Sequence, residues 1–335
     1  MPKKYSNLFP KIRSFKGLYK GYREARKGKR YKGEVVKFSK DLENNLLQLS
    51  RCLESQDYNT KGFKTFTLFD PKEREISAPY FRDRVVHRSL HMTLEPIFEK
   101  RFIHDTYACR PGRGTHAGVE RLQSFMRKQD TEYYLKCDIK GYFDSVDHDL
   151  LIREIGRKVS DECVLWLVRE FLRNYSSDKG EGKGMPIGTL YSQLFANIYL
   201  DRFDHFVKQS LGADYYVRYM DDFILLSDSK NRLHGLKDAM QGYLRDKLKL
   251  DLPGSKTTLE PVKKGATFLG YRVFPHYRLL RKRNKLKFKR RLRKQKKEMS
   301  EGEISFQELR QSLASWKGHA SHADTQNLLS KYIGF

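Results

Sequence analysis

Two adjacent carboxylates, Asp221 and Asp222, interrupt "YYVRYMDDFILLS" (residues 215–227), a run otherwise built from aromatic, β-branched and aliphatic residues. That composition predicts a strand, a turn and a second strand with buried flanks. Asp is a favoured turn residue, so a solvated hairpin tip is the ordinary reading of such a pair. Here the flanks are too apolar for a free loop, and an upstream strand-like run, "YYLKCD", ends in a third carboxylate, Asp138. Any fold of this chain must gather charged strand ends in apolar surroundings and neutralise them.

Clustered carboxylates repel one another unless a hard cation sits between them, and Mg²⁺ takes oxygen ligands together with substrate phosphates. Three aspartates can hold two divalent ions. Two ions ~3.5–4 Å apart activate an attacking hydroxyl and stabilise the leaving oxygen of an in-line phosphoryl displacement, in strand synthesis or strand cleavage alike. Charge agrees with a polyanionic partner: 67 Lys and Arg face 41 Asp and Glu, a formal net charge of +26. No apolar run approaches the ~20 residues of a spanning helix and no signal-peptide core is present, so no membrane partner and a soluble, cytoplasmic protein are expected. Cys52, Cys109, Cys137 and Cys163 are scattered without a CxxC pair, which suggests reduced thiols.

Residues 1–33 are basic with irregularly spaced aromatics. Val35 to Gln56 carries apolar residues at helical spacing and predicts one amphipathic helix. "KTFTLFD" and "REISAPY" predict paired strands turning at Asp70-Pro71. Helices are expected over 82–98, after the glycines of "CRPGRGTHAGVERLQSFMRK", from an Asp147 N-cap, over 162–173, through "TLYSQLFANIYLDRFDHFVKQSL", and over "HGLKDAMQGYLRDKLKL". "TTLEPV" and "ATFLGYRVF" read as strands. From Arg278 to Lys297, thirteen of twenty residues are Lys or Arg with Leu279, Leu286, Phe288 and Leu292 between them, so a cationic helical lobe suited to a phosphate backbone is expected there. His87 and His91 have metal-compatible spacing but lack a third ligand, which favours packing or template contact. "GEGKGMPIG" lacks the GK[ST] of a Walker loop.

The box "YMDD" resembles the YxDD box of reverse transcriptases, and ordered blocks resemble the same family: "FRDRVVHRSLHMTLEPIFEKRF", "YACRPGRGTHAGV", "YYLKCDIKGYFDSVDH", "GMPIGTLYSQLFANIYL", "LKLDLPGSKTTLEP" and "FLGYRV". They span roughly residues 60 to 275. The resemblance implies an α+β right-hand polymerase fold with fingers, an antiparallel palm sheet and a helical thumb. It implies a basic N-terminal extension and helix over 1–58, fingers over 59–132, a palm over 133–275 with a fingers insertion near 150–185, and a basic thumb over 276–335.

By that resemblance Asp138, Asp221 and Asp222, with the Ile139 carbonyl, hold two Mg²⁺ ions, with Mn²⁺ as a substitute, and Lys256 protonates the pyrophosphate leaving group. Phe143 stands where the family places an aromatic gate against the ribose 2′-OH, although a core aromatic would read the same. Lys72, Arg74, Ile187, Gly188 and Gln193 are expected at the nucleotide. Arg82, Arg110, Arg113, Tyr219, Met220, Phe268, Leu269, Gly270, Arg281, Lys282 and Trp316 are expected at the template or primer, with palm or thumb core the alternative for Phe268, Leu269 and Trp316.

Most members of the family carry a Gln before the Gly of the fourth block and a Pro after its Ser; this chain has "IGTLYSQ", with Ile187 and Gln193 there. That pattern, and "LASWKGHASHADTQNLL", resemble reverse transcriptases of diversity-generating retroelements, in bacteria or phage-infected hosts. The resemblance implies a template-repeat RNA copied into adenine-mutagenised cDNA from dNTPs, and a small basic accessory variability protein assembled as a pentamer. Ile187 offers only dispersion contact where Gln could hydrogen-bond, which would lower discrimination by ~1–3 kcal/mol. The alternatives are a group II intron-like or retron reverse transcriptase of ordinary fidelity, and a catalytically silent RNA-binding scaffold. The chain ends soon after the expected thumb, so no maturase, endonuclease, RNase H or integrase extension is expected.

Overall fold

A computed structural model of the chain describes residues 4–69, 73–175 and 177–333, apart from the side chains at 329 and 331–333. In chain order its first elements are α1 (Phe9–Arg13), α2 (Phe15–Ala25), α3 (Gly33–Lys40), α4 (Leu42–Glu54), β1 (Phe63–Phe69), β2 (Glu73–Pro79), α5 (Phe81–Glu99) and α6 (Thr115–Met126). Then come β3 (Tyr133–Asp138), α7 (Tyr142–Ser145), α8 (His148–Gly156), α9 (Glu162–Arg173), α10 (Leu190–His205), β4 (Tyr216–Tyr219), β5 (Asp222–Ser227) and α11 (Lys230–Leu248). The last are β6 (Thr258–Pro261), β7 (Ala266–Phe268), β8 (Tyr271–Val273), β9 (Arg278–Leu280), α12 (Lys282–Ser300), α13 (Phe306–Ala320) and α14 (Gln326–Ile333).

Two compact units share these elements: Met1–His104, Ile139–Gly212 and Asp238–Lys256 form the first, and Asp105–Asp138, Ala213–Lys237 and Thr257–Phe335 the second. In the first unit α10 is buried on nearly every face, from Tyr191 to Phe203, as expected of a helix with apolar residues all round. The basic N-terminus is ordered into α1 and α2, whose Leu18, Tyr22 and Ala25 turn inward while the cations stay out. Helix α2 crosses α5 so closely at Gly21 that a Cβ there would lie 2.4 Å from the Val85 carbonyl oxygen. The expected helix over 35–56 is instead α3 and α4. Asp41 breaks it with a non-helical backbone, and its carboxylate accepts from Asn44 Nδ2 at 2.8 Å, a local bond that competes with helical pairing. Strands β1 and β2 pair antiparallel as expected; their turn lies outside the described residues.

The second unit holds an antiparallel sheet of order β4-β5-β3-β6 and a three-stranded sheet β7-β8-β9. Its core joins Val119 and Leu122 of α6, Val217 and Ile224 of the first sheet, Phe268, Tyr271 and Val273 of the second, and Phe288, Leu292 and Trp316 of α12 and α13. "ATFLGYRVF" forms a tight hairpin, with Leu269 and Gly270 at φ +47° and +92°, the left-handed pair that matches strand twist. One expectation is corrected. The cationic lobe opens with strand β9, paired to β8, before the helix starts at Lys282. Among the described residues no helix is long and apolar enough to cross a membrane.

Candidate active site

Strand pairing in the second unit puts Asp138, the last residue of β3, opposite Asp222, the first residue of β5, and Tyr219 of β4 opposite Asp222 on the other side. Met220 makes the connection between β4 and β5 tight by adopting φ +54°. A non-glycine residue in that region stores roughly 1–2 kcal/mol, so the turn needs support. Arg218 gives it: fully buried, it donates from Nη1 to the Met220 carbonyl at 3.0 Å. The Arg218 backbone is itself held at both ends, its N–H on the Asp105 carbonyl and its carbonyl on the Tyr107 N–H, each at 3.0 Å.

Asp222 Oδ2 accepts from Lys136 Nζ at 2.9 Å, and that ammonium also donates to the Thr267 carbonyl at 2.8 Å. Asp222 Oδ1 is buried without a hydrogen-bond partner. Burial pushes the Asp222 carboxyl up to about 6; Lys136 opposes the rise, and Asp221 and Asp138 add to it by repulsion. No set of three or more metal-ligating side chains is already gathered among the described residues. The donor chemistry nevertheless fits a divalent cation: an acid oxygen lacking a partner, beside two further carboxylates whose field a cation would relieve.

The remaining expected residues separate by surroundings. In the second unit, Tyr219 is half-buried and Met220 is buried in the turn. Leu269 and Gly270 form the tip of the β7–β8 hairpin, and Arg281 and Lys282 are exposed at the start of α12. Three residues expected at the template or primer are buried there, Phe268 and Trp316 in the core packing given as their alternative. Phe268 is fully buried, Trp316 stacks on Phe288 at 3.5 Å inside the core, and Arg110 is buried with Nη1 on the Thr106 carbonyl at 2.9 Å and on its hydroxyl. Arg113 lies over the Tyr107 ring.

In the first unit, Lys256 Nζ approaches the buried Ile139 carbonyl at 3.5 Å. The Phe143 ring is half-buried while its carbonyl accepts from Met185 N–H at 2.8 Å. The Ile187 carbonyl accepts from Ser77 N–H of β2 at 2.8 Å, and Gly188 and Gln193 line a cavity beside α10. Arg74 is exposed on β2, Arg82 donates to the Asn59 carbonyl at 3.0 Å and covers the Tyr58 ring, and Lys72 lies outside the described residues.

Sequence reasoning missed Lys136 and Arg218. Lys136 was findable, since a strand residue two before Asp138 shares its face. Arg218 left no such signal, because a cation in a buried strand reads as a defect until its acceptors are known.

The family model described as reverse transcriptase (RNA-dependent DNA polymerase) matches residues 69–273, more than half of the chain. The chain belongs to this family. Protein YkfC of Escherichia coli K12 is 28% identical over 253 residues, 64% of this chain and 65% of YkfC. The group II intron-encoded protein LtrA of Lactococcus lactis subsp. cremoris is 26% identical over 269 residues, 60% of this chain and 44% of LtrA. The chain thus spans between somewhat under half and just under two thirds of these relatives. Telomerase from Candida albicans shares the fold at TM-score 0.51 and 12% identity, over 67% of this chain and 46% of that one. The fold is the α+β polymerase fold with antiparallel sheets that the sequence led us to expect.

Proposed function

We propose that the chain is an RNA-directed DNA polymerase that binds an RNA template, its growing cDNA and dNTPs. Asp138, Asp221 and Asp222 hold two Mg²⁺ ions, for which Mn²⁺ substitutes. The observation that carries this reading is the buried, unpartnered Asp222 Oδ1 on a strand paired with the strand of Asp138. Bound, the ions supply activation of the attacking hydroxyl and charge stabilisation at the leaving oxygen. The protein's own groups set the geometry: Arg218 braces the Met220 turn and Lys136 fixes one oxygen of Asp222. Lys256 gives a proton to the departing pyrophosphate, Phe143 selects against a 2′-OH, and Arg74, Ile187, Gly188 and Gln193 contact the nucleotide. Arg281, which precedes α12, and the exposed cations of that helix, Lys282 among them, grip the duplex.

"IGTLYSQ" supports the finer reading of an error-prone enzyme of a diversity-generating retroelement, working in the cytoplasm with a template-repeat RNA and a pentameric basic accessory protein. The likeness to LtrA supports a second reading, a group II intron-like enzyme of ordinary fidelity. Sequencing cDNA made by purified protein on a defined RNA separates them. Substitutions concentrated opposite template adenines support the first reading, and uniform low error supports the second.

A further inference from the structure

In the second unit, β3 carries a lysine two residues before its terminal carboxylate, so the side chains of Lys136 and Asp138 leave the strand on one face. Register sets Lys136 across from Ile224 of β5 and Asp138 across from Asp222, and the long lysine side chain reaches Asp222 on the diagonal. Its ammonium donates to Asp222 Oδ2 at 2.9 Å and to the Thr267 carbonyl of β7 at 2.8 Å, and it lies 6.0 Å from the centre of the Phe268 ring. The hairpin that offers this carbonyl is itself held: β7 pairs with β8, and the Gly270 carbonyl at its tip accepts from the Arg281 N–H at 3.0 Å. Lys136 is thus anchored on the main chain of a second sheet and keeps its place if the carboxylate turns.

A cation in this position acts in two ways. As a counter-ion it offsets the charge of the three aspartates in the metal-free protein, a modest effect with 23% of each partner exposed. As an anchored donor it does something more specific. An ion that ligates Asp222 meets a carboxylate with one oxygen already engaged, so that group offers one oxygen and not both. Divalent cations differ in what they ask of a carboxylate. Ca²⁺ takes both oxygens of one group readily, in a large and flexible shell, whereas Mg²⁺ demands near-ideal octahedral geometry, which the narrow bite of a single carboxylate does not give.

We propose that Lys136 is a positioning residue for ion choice: holding Oδ2 from its anchor on Thr267, it denies two-oxygen coordination at Asp222 and biases the site towards Mg²⁺ over Ca²⁺. This role rests on the carboxylate metal site of the polymerase reading above. Charge and geometry separate cleanly here. Both ions carry the same charge, so losing the repulsion of the ammonium strengthens both alike, and only the freed oxygen changes the ratio of their affinities.

The test titrates Mg²⁺ and Ca²⁺ separately into the protein at pH 7.5 without nucleic acid, with calorimetry and the rise in melting temperature giving each Kd. Wild type is compared with Lys136→Met, Lys136→Leu and the rescue variant Lys136→Arg. Methionine keeps the length of the side chain and packs well beside an aromatic ring such as Phe268, and leucine is a second apolar variant should methionine fail to fold. Affinity for Mg²⁺ should rise about 3-fold in Lys136→Met, the scale of a partly exposed ion pair, and affinity for Ca²⁺ about 10-fold or more. Lys136→Leu should shift the ratio the same way. Lys136→Arg should keep the wild-type ratio, because a guanidinium on Asp222 still engages the carboxylate. Equal changes for the two ions, or none, in folded Lys136→Met and Lys136→Leu overturn the proposal, as does a Lys136→Arg ratio shifted as far as theirs. A merely structural role would lower the melting temperature in EDTA and leave the ratio where it was. Wild-type protein that binds neither ion removes the metal site and this role with it. Ion binding involves no chemistry, so the ratio reads Lys136 even if wild-type protein fails to extend primers, the result that would remove the polymerase reading alone.

Discussion

Replacing Asp222 by Asn should make the metal-free protein more stable while removing its activity. In the folded chain the Asp222 carboxyl titrates near 6 against an ordinary 3.8, because burial and the fields of Asp221 and Asp138 outweigh the Lys136 ion pair. Between pH 4 and 6 the folded state therefore keeps a proton that the unfolded chain has released. Stability falls as pH rises through that window, and the full penalty stands above pH 6. A shift of about two units at ~1.36 kcal/mol each sets a ceiling near 3 kcal/mol. With 23% of the side chain exposed, solvent screening reduces it. Asn keeps an oxygen for Lys136 and drops the charge. Unfolding in EDTA should show the variant more stable than wild type at pH 7.5 by up to about 3 kcal/mol, with no advantage at pH 4. Mg²⁺ should then stabilise wild type and leave the variant unmoved. A variant less stable than wild type at pH 7.5 in EDTA would refute the reasoning, since the Lys136 pair would then outweigh the repulsion.

Trp316→Ala removes the stacked partner of Phe288 and should lower stability by about 3–5 kcal/mol in thermal unfolding, whereas a tryptophan serving only a bound strand would leave melting intact. Gly188→Ala forces a Cβ against Ile76 at positive φ and should lower the melting temperature by the equivalent of about 1–3 kcal/mol. Ile187→Gln should reduce misincorporation opposite template adenine with total extension largely kept, as read by cDNA sequencing.

Runs of aromatic, β-branched and aliphatic residues made β3, β4 and β5 legible, and with them the convergence of Asp138 and Asp222, because a strand buried on both faces tolerates a carboxylate only at its end. The Asp147 N-cap was equally legible, its side chain accepting from Leu150 N–H at 3.0 Å. Other features depended on partners distant in sequence. Leu269 does not look like a turn residue, yet strand pairing forces it to positive φ. Trp316 and Arg110 look like surface ligands for nucleic acid until Phe288 and Thr106 are known to enclose them.

Primer extension on an RNA template with dNTPs and Mg²⁺ tests the central claim most directly, with Asp222→Asn as the matched control of intact fold. The account predicts templated DNA synthesis by wild-type protein, its loss in EDTA, and a fall of several orders of magnitude in the variant. Wild-type synthesis no greater than that of Asp222→Asn would contradict it.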